Sequence, residues 1–188
     1  MRPTDVDQRG WSLCQTLWGW VALAGDRTGL DYVGYPETTE DEAVARLFQE
    51  RAHPGQLDSR VLAGYETPVR GYFAGQPLQW SELPVHLSGT PFQVKVWQAT
   101  RQIPYGETRT YGEIALEAGW PRAARAAGSA LAHNSFGLLV PCHRVVAAGG
   151  LGGYGPQAQR KLALLRLEGA AIVKRIVDGR IAELRRSR

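Results

Sequence analysis

The sequence predicts an α+β protein in which a small α/β region precedes a mostly helical region. Three short strand-like segments open the chain, whereas helix-starting motifs dominate its second half. The charge divides at the same place. Residues 1–85 hold 7 Lys and Arg against 12 Asp and Glu, a net charge of −5, and residues 86–188 hold 15 against 6, a net charge of +9. We therefore predict domains at 1–85 and 86–170 and an extension at 171–188, with a polyanion as partner of the basic half.

Length and composition are those of a globular protein without crosslinks. The chain has 188 residues, 44% of them hydrophobic, and about 70% of its unfolded surface can be buried on folding. No apolar segment approaches the length of a membrane span, and the N-terminal residues lack the apolar core of an export signal. Cys14 and Cys142, with four scattered histidines, predict neither a disulfide framework nor a metal site. We expect a cytoplasmic monomer with no membrane partner.

The first region begins with a predicted three-stranded meander. Its strands are Trp11–Leu17, Trp20–Ala24 and Leu30–Tyr35, separated by turns at Gly19 and at residues 26–29. A thiol in the middle of the first strand, Cys14, is expected to be buried and structural.

Two helices follow the meander. The run Thr39-Glu40-Asp41-Glu42 is a capping box and begins a helix that ends near Arg51. Its inward face is expected to consist of three apolar residues: Ala43, Leu47 and Phe48. A second helix is predicted over 61–73, interrupted by Pro68. Residues 78–87 are predicted to form a strand and a linker.

The second region begins with three predicted helices. The run Thr90-Pro91-Phe92-Gln93 begins a helix that extends to about Arg101. The capping box Thr110-Tyr111-Gly112-Glu113 begins a short helix, Gly119-Trp120-Pro121 ends it, and the helix Arg122–Ala132 follows. Two short helices joined by a turn with glycine are typical of a helix-turn-helix.

The second of these two helices is rich in alanine. Only Arg125 and Ser129 in its interior could hydrogen-bond a base edge, whereas a major-groove reader needs several such side chains. Small residues would instead let the helix backbone approach a duplex without reading its sequence. The alternative is a helix packed in the core, where alanine is equally common.

A polar triplet, Cys142-His143-Arg144, interrupts the strand-like apolar run at 138–146. Its positive surroundings favour a lowered thiol pKa. Because neighbouring side chains on a strand point to opposite faces, we expect His143 to reach Cys142 through a water molecule.

A histidine base needs an orienting partner, and Glu168 is the candidate. It ends the predicted helix Gln157–Leu167, where a carboxylate opposes the helix dipole and therefore needs another role. A buried cysteine beside a core histidine remains the alternative to catalysis.

Several motifs of this sequence, taken together, resemble those of a known protein family. The run Pro141-Cys142-His143-Arg144-Val145 resembles the active-site signature of the O6-alkylguanine-DNA alkyltransferases, and residues 89–169 resemble the C-terminal domain of that family. The first 85 residues resemble its N-terminal domain only weakly, at 72–75. The further motifs that carry the resemblance are Gly89-Thr90-Pro91-Phe92-Gln93, Val96-Trp97, Ile103-Pro104-Tyr105-Gly106-Glu107-Thr108, Tyr111, Pro121-Arg122-Ala123-Ala124-Arg125-Ala126, Asn134, Gly153-Tyr154-Gly155 and Leu167-Glu168-Gly169.

The resemblance implies a fold and an activity. The fold is a ribonuclease H-like N-terminal domain followed by a winged helix-turn-helix-like domain. The activity is DNA repair: an alkyl group moves irreversibly from O6 of guanine to Cys142, so that each molecule acts once. The partner is double-stranded DNA that contains O6-alkylguanine, and no cofactor is needed. The zinc of some relatives is not expected, since Cys14 alone cannot hold it.

The resemblance also implies roles for site residues. Glu168 orients His143, which takes the thiol proton through water, and Asn134 hydrogen-bonds to the active-site segment. The phenol of Tyr111 donates to N3 of the purine. Three further residues complete the guanine pocket: Val145, Tyr154 and Gly155.

The reacting base must leave the duplex, and Arg125 matches the family residue that fills its place. The helix around it is expected to lie in the minor groove through Arg122 and the small residues Ala123, Ala126, Ala127 and Ala130. A C-terminal hairpin at 173–177 and 180–184 and a basic tail at 185–188 are predicted to follow.

Three other functions compete with this reading. A non-catalytic alkyltransferase-like DNA damage-binding protein lacks the reactive cysteine. The presence of Cys142 therefore argues against that function. A DNA-binding regulator would not need Cys142, Glu168 and Tyr111 together. A cysteine hydrolase would not need a basic, alanine-rich helix.

Overall fold

The computed structural model describes residues 9–152 and 157–173, and the predicted α+β class is confirmed. These residues form two compact units. One holds the described residues up to Thr90 together with Asn134–Val140, and the other holds Pro91–His133 and the described residues from Pro141 onwards. Within the described ranges, no helix is long and apolar enough to cross a membrane.

A four-stranded sheet organises the first unit. Its strands are β1 (Gly10–Thr16), β2 (Gly19–Asp26), β3 (Gly29–Val33) and β4 (Gln56–Leu57), in the order β3-β2-β1-β4. The first three strands are antiparallel, which confirms the predicted meander. The short β4 is parallel to β1 and was not predicted. Cys14 is buried in β1, as expected.

Helix α1 (Glu40–Glu50) begins with the predicted capping box at Thr39. Ala43 and Leu47 are buried, but the prediction that Phe48 faces inward is wrong, because its side chain is 49% exposed. Successive residues differ by about 100° around a helix, so Phe48 cannot share the face of Leu47. Its ring instead packs edge-on against Trp11, with centroids 5.9 Å apart.

Helix α2 (Ser59–Phe73) runs without a break through Pro68, contrary to the prediction. A proline inside a helix costs about 3 kcal/mol. The burial of apolar residues on this helix offsets that cost, and they are Val61, Leu62, Val69, Tyr72 and Phe73.

The predicted strand at 78–87 is also wrong. Trp80–Glu82 form a 3-10 turn, and Val85 makes only an isolated bridge to Leu30. The buried ring of Trp80 packs against Tyr72, with centroids 5.2 Å apart. The buried Trp80 lies in this turn, which interrupts an extended path. Pro84 in addition has no backbone N–H with which to hydrogen-bond a neighbouring strand.

The described residues of the second unit form several helices and a small sheet. The helices are α3 (Pro91–Arg101), α4 (Tyr111–Glu117), α5 (Ala124–Ala132) and α6 (Ala158–Leu167), and strands β5 (Arg109–Thr110) and β6 (Val145–Val146) pair in parallel. Helices α3, α4 and α5 pack on one another.

Helix α5 begins two residues later than predicted. Arg122 has a φ of +72°, which lies outside the helical region and ends any continuous helix there. The tryptophan ring of Trp97 on α3 donates from Nε1 to the carbonyl of Ala130, at 3.0 Å. The predicted C-terminal hairpin and basic tail lie outside the described residues, except for Val173, which is helical and not in the predicted strand.

The segment Asn134–Val140 is tied to β3 of the first unit. The N–H of Val33 donates to the Phe136 carbonyl at 3.3 Å, and the N–H of Leu138 donates to the Val33 carbonyl at 2.8 Å. The guanidinium of Arg51 lies 4.8 Å from the centroid of the Phe136 ring. Gly137 makes this approach possible, since its φ is +61° and a Cβ there would lie 1.9 Å from the Val33 oxygen.

We predict that Gly137→Ala lowers the free energy of unfolding by at least about 2 kcal/mol, because alanine would be strained and would collide with backbone. The control is Gly64→Ala in α2, where nothing lies within 4 Å of a built Cβ. That change should stabilise the protein by about 0.5–1 kcal/mol. Urea unfolding of both variants tests this, and a Gly137→Ala protein as stable as wild type would contradict the tight approach.

Candidate active site

Cys142 is buried at the start of a 3-10 turn, Cys142–Arg144. The prediction of a strand through 138–146 is therefore wrong, and only Val145–Val146 are extended in a sheet. The turn is closed by the N–H of Arg144, which donates to the Pro141 carbonyl at 2.9 Å. Such a bend changes the directions in which consecutive side chains point, so the side chains of Cys142 and His143 are not held on opposite faces of a strand.

Asn134 shapes the segment that precedes this turn. Its Nδ2 donates to the carbonyls of Gly137 at 2.9 Å and Val140 at 3.0 Å, and its Oδ1 accepts from the N–H of Phe136 at 3.0 Å. One side chain thus folds the chain back within the segment that leads to Pro141.

The carboxylate of Glu168 is the centre of the buried site. Its Oε1 accepts from His143 Nε2 at 2.9 Å and from the Arg144 guanidinium at 2.9 Å. Its Oε2 accepts from Arg144 Nε at 3.0 Å and from the N–H of Gly106 at 3.3 Å. The side chains of Glu168, His143 and Arg144 are fully buried.

Burial alone would raise the pKa of Glu168, but the hydrogen bonds from His143 and Arg144 and the charge of Arg144 outweigh it and hold that pKa at about 2. Burial lowers the pKa of His143, although Glu168 opposes this. The carboxylate is therefore ionised and the imidazole neutral at pH 7. A neutral ring that donates from Nε2 keeps its basic lone pair on Nδ1.

The loop between α3 and β5 closes the site around Glu168. The carbonyl of Ile103 accepts from Arg144 Nη1 at 2.7 Å, and the hydroxyl of Tyr105 donates to the Leu167 carbonyl at 3.0 Å. Gly106 has a φ of +77°, and a Cβ there would lie 2.8 Å from the Glu168 carbonyl. Ile103, Tyr105 and Gly106 are far from Cys142 in sequence, and these contacts explain their place in the motif: they hold Arg144 and the end of α6.

Tyr111 begins α4 and is half-buried in a space that two glycines leave open. A Cβ on Gly128 would lie 3.6 Å from the Tyr111 ring, and a Cβ on Gly152 would lie 2.9 Å from it. Burial and the nearby Cys142 both raise the pKa of Tyr111. Its phenol is therefore neutral at pH 7 and available as a donor.

Only one of the three remaining predicted pocket residues is among the described residues. Val145 is buried at the start of β6, whereas Tyr154 and Gly155 lie outside the described residues. In the part of the chain that is described, no three His, Cys, Asp or Glu side chains are grouped so as to hold a metal ion.

The predicted DNA-binding residues divide between the two faces of α5. Arg122, Arg125 and Ala126 are exposed, and Ala123 is half-buried. The prediction is wrong for Ala127 and Ala130, which are buried. Helical geometry puts residues 127 and 130 on one face of α5, and that face packs inside the unit.

Two buried cations are not predicted by the sequence patterns. The motif gives Arg144 only the role of a general positive charge and gives Lys161 none, yet both are fully buried in the second unit. Lys161 could have been noticed, because it shares the inward face of α6 with Leu164 and Leu165. A charge at an apolar position of an amphipathic helix is uncommon unless it has a partner.

Comparisons with known proteins cover most of the chain. Residues 91–170 match the family model described as 6-O-methylguanine DNA methyltransferase, DNA binding domain. A methylated-DNA–protein-cysteine methyltransferase of Mycobacterium tuberculosis is 49% identical over 128 residues, which cover 65% of this chain and 77% of that protein. One from Methanosarcina acetivorans is 42% identical over 153 residues, which cover 81% and 93%.

Solved structures are also similar to this chain. The crystal structure of Mycobacterium tuberculosis OGT in complex with DNA is similar to this chain with a TM-score of 0.69 and 39% identity. The match covers 87% of this chain and 97% of that one.

We predict that Glu168→Gln lowers the free energy of unfolding by about 3–5 kcal/mol at pH 7, because it leaves the Arg144 charge buried without its counter-charge. The pKa of Glu168 is about 2 in the folded protein, below its ordinary value of 4.5. Its stabilisation is therefore complete above about pH 4.5 and is lost as the pH falls towards 2. Urea unfolding at several pH values should show the difference between variant and wild type shrinking over that range.

The matched control for this prediction is Glu107→Gln. Glu107 is 52% exposed and pairs with Arg109 at 3.0 Å, so its loss should change stability little. Equal effects of the two substitutions, or a difference independent of pH, would contradict the role assigned to the buried carboxylate.

Proposed function

This chain belongs to the methylated-DNA–protein-cysteine methyltransferase family, and on that premise we propose that it repairs DNA by moving a methyl or other alkyl group from O6 of guanine to the sulfur of Cys142. The observation that carries the proposal is the buried Cys142 next to a neutral His143 that is hydrogen-bonded to an ionised Glu168. A lesion sensor or a regulator would need none of this chemistry.

The reaction begins with the thiol proton. His143 accepts it at Nδ1 through a bridging water, and the Glu168 carboxylate stabilises the imidazolium that forms. The Cys142 thiolate then attacks the alkyl carbon. A carbon–sulfur bond forms as the bond from that carbon to O6 breaks, and its electron pair passes to the purine.

Tyr111 assists the departure of guanine. Its neutral phenol donates a hydrogen bond to N3 of the purine, where negative charge develops. Guanine takes up a proton and the imidazolium returns to its neutral form. The thioether on Cys142 is not cleaved by thiol exchange, so each molecule acts once.

Backbone groups select guanine in this proposal. The carbonyls of Cys142 and Val145 accept from the base, the amide of Gly155 donates to it, and Tyr154 forms a wall of the pocket. Asn134 supports this segment through the Val140 carbonyl. No cofactor takes part.

Double-stranded DNA that contains O6-alkylguanine is the proposed substrate, bound by one copy of the chain. We infer a ribonuclease H-like fold for the first unit and a winged helix-turn-helix-like fold for the second. Two features support the latter: α4 and α5 are joined by a short turn, and β5 and β6 form a small sheet. The exposed surface of α5 carries Arg125, beside Ala126 and with Arg122 before the helix, and is the proposed contact with the minor groove.

We predict that incubation with O6-methylguanine DNA adds the mass of one methyl group to the peptide that contains Cys142. Cys142→Ala should abolish transfer and keep DNA binding, because the buried thiol supplies the chemistry and little of the contact surface. Cys14→Ala is the matched control and should transfer normally. Intact-mass and peptide-mass measurements test this, and a methyl group found on Cys14, or an unchanged mass, would refute the proposal.

We predict that Arg125→Ala slows transfer from duplex DNA about tenfold while leaving transfer from free O6-benzylguanine unchanged. Extruding a base costs a few kcal/mol, and losing about 1.4 kcal/mol of compensation gives a tenfold loss of rate. Arg125→Lys should recover little, because an ammonium cannot stack as a guanidinium does. The measurement is single-turnover transfer at saturating protein. Equal losses on both substrates would assign Arg125 to the fold or the pocket instead.

A further inference from the structure

Trp120 lies in the turn between α4 and α5, and its side chain is 40% exposed. Its backbone is held on both sides: its N–H donates to the Ala115 carbonyl at 2.8 Å, and its carbonyl accepts from the N–H of Ala123 at 3.2 Å. Its ring packs edge-on against Phe92 of α3, with centroids 5.0 Å apart. The indole is therefore fixed in place while part of it faces solvent.

Packing between the helices does not account for this exposed ring. Trp97 already joins α3 to α5, because it is buried and donates from Nε1 to the Ala130 carbonyl. Tryptophan with one exposed side is enriched where proteins meet partners. A single exposed ring is also common on protein surfaces and indicates nothing alone, but here a strained cation follows it in the same turn.

That cation is Arg122, two residues after Trp120, which holds a left-handed backbone. Its φ is +72°, and among the described residues every other positive φ belongs to a glycine. Glycine adopts this conformation freely, whereas an arginine there is strained. Strained residues of this kind concentrate at functional sites, where the side chain has a use. The exposed guanidinium of Arg122 therefore needs a function that offsets the strain.

The charges around this turn favour an anionic partner. The carboxylates of α4 already have partners, since Glu113 belongs to the capping box and Glu117 pairs with Arg109 at 3.8 Å. Arg122 and Arg125 are both exposed. The turn and the start of α5 thus present two arginines and an indole to solvent.

Double-stranded DNA is the partner whose chemistry fits this combination. Residues 91–170, which include the turn, match a DNA-binding domain. A guanidinium pairs well with a phosphate, and an aromatic face packs on a base or on the apolar carbon atoms of a sugar. Phosphate and sugar are present at every position of a duplex. A contact with them suits a protein whose α5 carries few base-reading side chains.

We propose, on the basis of the DNA-repair function above, that the turn between α4 and α5 makes its own contact with the DNA backbone: the indole of Trp120 packs on a deoxyribose, and Arg122 pairs with a neighbouring phosphate. Arg122 then binds the strand that borders the proposed minor-groove contact of α5. Such a contact positions the duplex and reads no sequence.

The test is the binding of undamaged, fluorescein-labelled duplexes of two unrelated sequences, measured by anisotropy over a series of NaCl concentrations. It compares wild type with Trp120→Ala, Trp120→Leu and Arg122→Gly. The matched control is Trp18→Ala. Trp18 is also 40% exposed, lies in the turn after β1 and packs against a phenylalanine, Phe73, with centroids 5.7 Å apart.

Trp120→Ala should weaken binding of both duplexes about tenfold at every salt concentration, the loss expected for one aromatic stacking contact. Trp120→Leu should weaken it by less, because leucine keeps an apolar contact without a flat face. Neither variant loses a charge, so the slope of log K against log [salt] should remain that of wild type. Trp18→Ala should change neither the affinity nor the slope.

Arg122→Gly should reduce the magnitude of that slope by about 0.9, the contribution of one phosphate contact. It should melt at no lower temperature than wild type, because glycine accepts the positive φ. A loss of charge dependence without a loss of stability is the result expected if the strain at Arg122 serves DNA binding.

Wild-type affinity in Trp120→Ala and Trp120→Leu would overturn the proposal, as would an equal loss in Trp18→Ala or an unchanged slope in Arg122→Gly. If Trp120→Ala fails to fold, Trp120→Leu decides, since it keeps apolar bulk against Phe92. Sedimentation without DNA tests the other occupant of an exposed ring. Self-association of wild type that Trp120→Ala abolishes while DNA affinity is retained would assign this surface to a second copy and overturn the DNA contact.

Binding of undamaged DNA involves no transfer of an alkyl group. A wild-type protein that binds these duplexes but accepts no methyl group from O6-methylguanine DNA would therefore refute the proposed function. Unchanged affinity in the variants of Trp120 would refute only the contact proposed for this turn.

Discussion

The Glu168 carboxylate is the group on which the rest of the site depends, because it accepts hydrogen bonds from two separate parts of the second unit. They are the turn after Cys142, through His143 and Arg144, and the loop before β5, through Gly106. A carboxylate in this setting must be fully compensated, since an unpaired buried charge is costly. Gly106 and Glu168 are 62 residues apart in sequence, so a single buried charge joins distant segments into one geometry.

This carboxylate also fixes the protonation state of the proposed base. Because the hydrogen bonds from His143 and Arg144 keep Glu168 ionised, the His143 nitrogen that faces it must be a donor, and burial keeps the ring neutral. Only one tautomer satisfies both conditions, and it leaves Nδ1 basic. The residues at 142–144 therefore do more than place positive charge near a thiol: Arg144 pairs with the carboxylate, the carboxylate orients His143, and His143 is the proposed base for Cys142.

Sequence predicted the parts of this protein that depend on local patterns. The meander and the two capping boxes follow from alternation and end signals within a few residues. The pairing of His143 with Glu168 follows from the need of a histidine base for an orienting partner and from the resemblance to the family. The wrong predictions occur where a contact with a residue distant in sequence determines the local structure. The buried ring of Trp80 bends a segment that alternates like a strand. The run at 138–146 is apolar because it is buried, which periodicity cannot distinguish from extended structure. Lys161 is explained only by the carbonyl that it contacts, that of Val145.

The path of the chain between the proposed DNA-facing helix and the nucleophile adds a constraint that no motif reveals. After α5 the chain contributes Asn134–Val140 to the first unit and returns to the second at Pro141. Within the first unit these residues are held by two backbone bonds to Val33 and by a glycine that leaves no room for a side chain. The first 85 residues resemble the family only weakly, yet the approach of β3 to this segment limits what can vary at Val33 and Gly137. Cys142 follows Val140 by only two residues, so the segment held by β3 ends immediately before the turn that carries the proposed nucleophile.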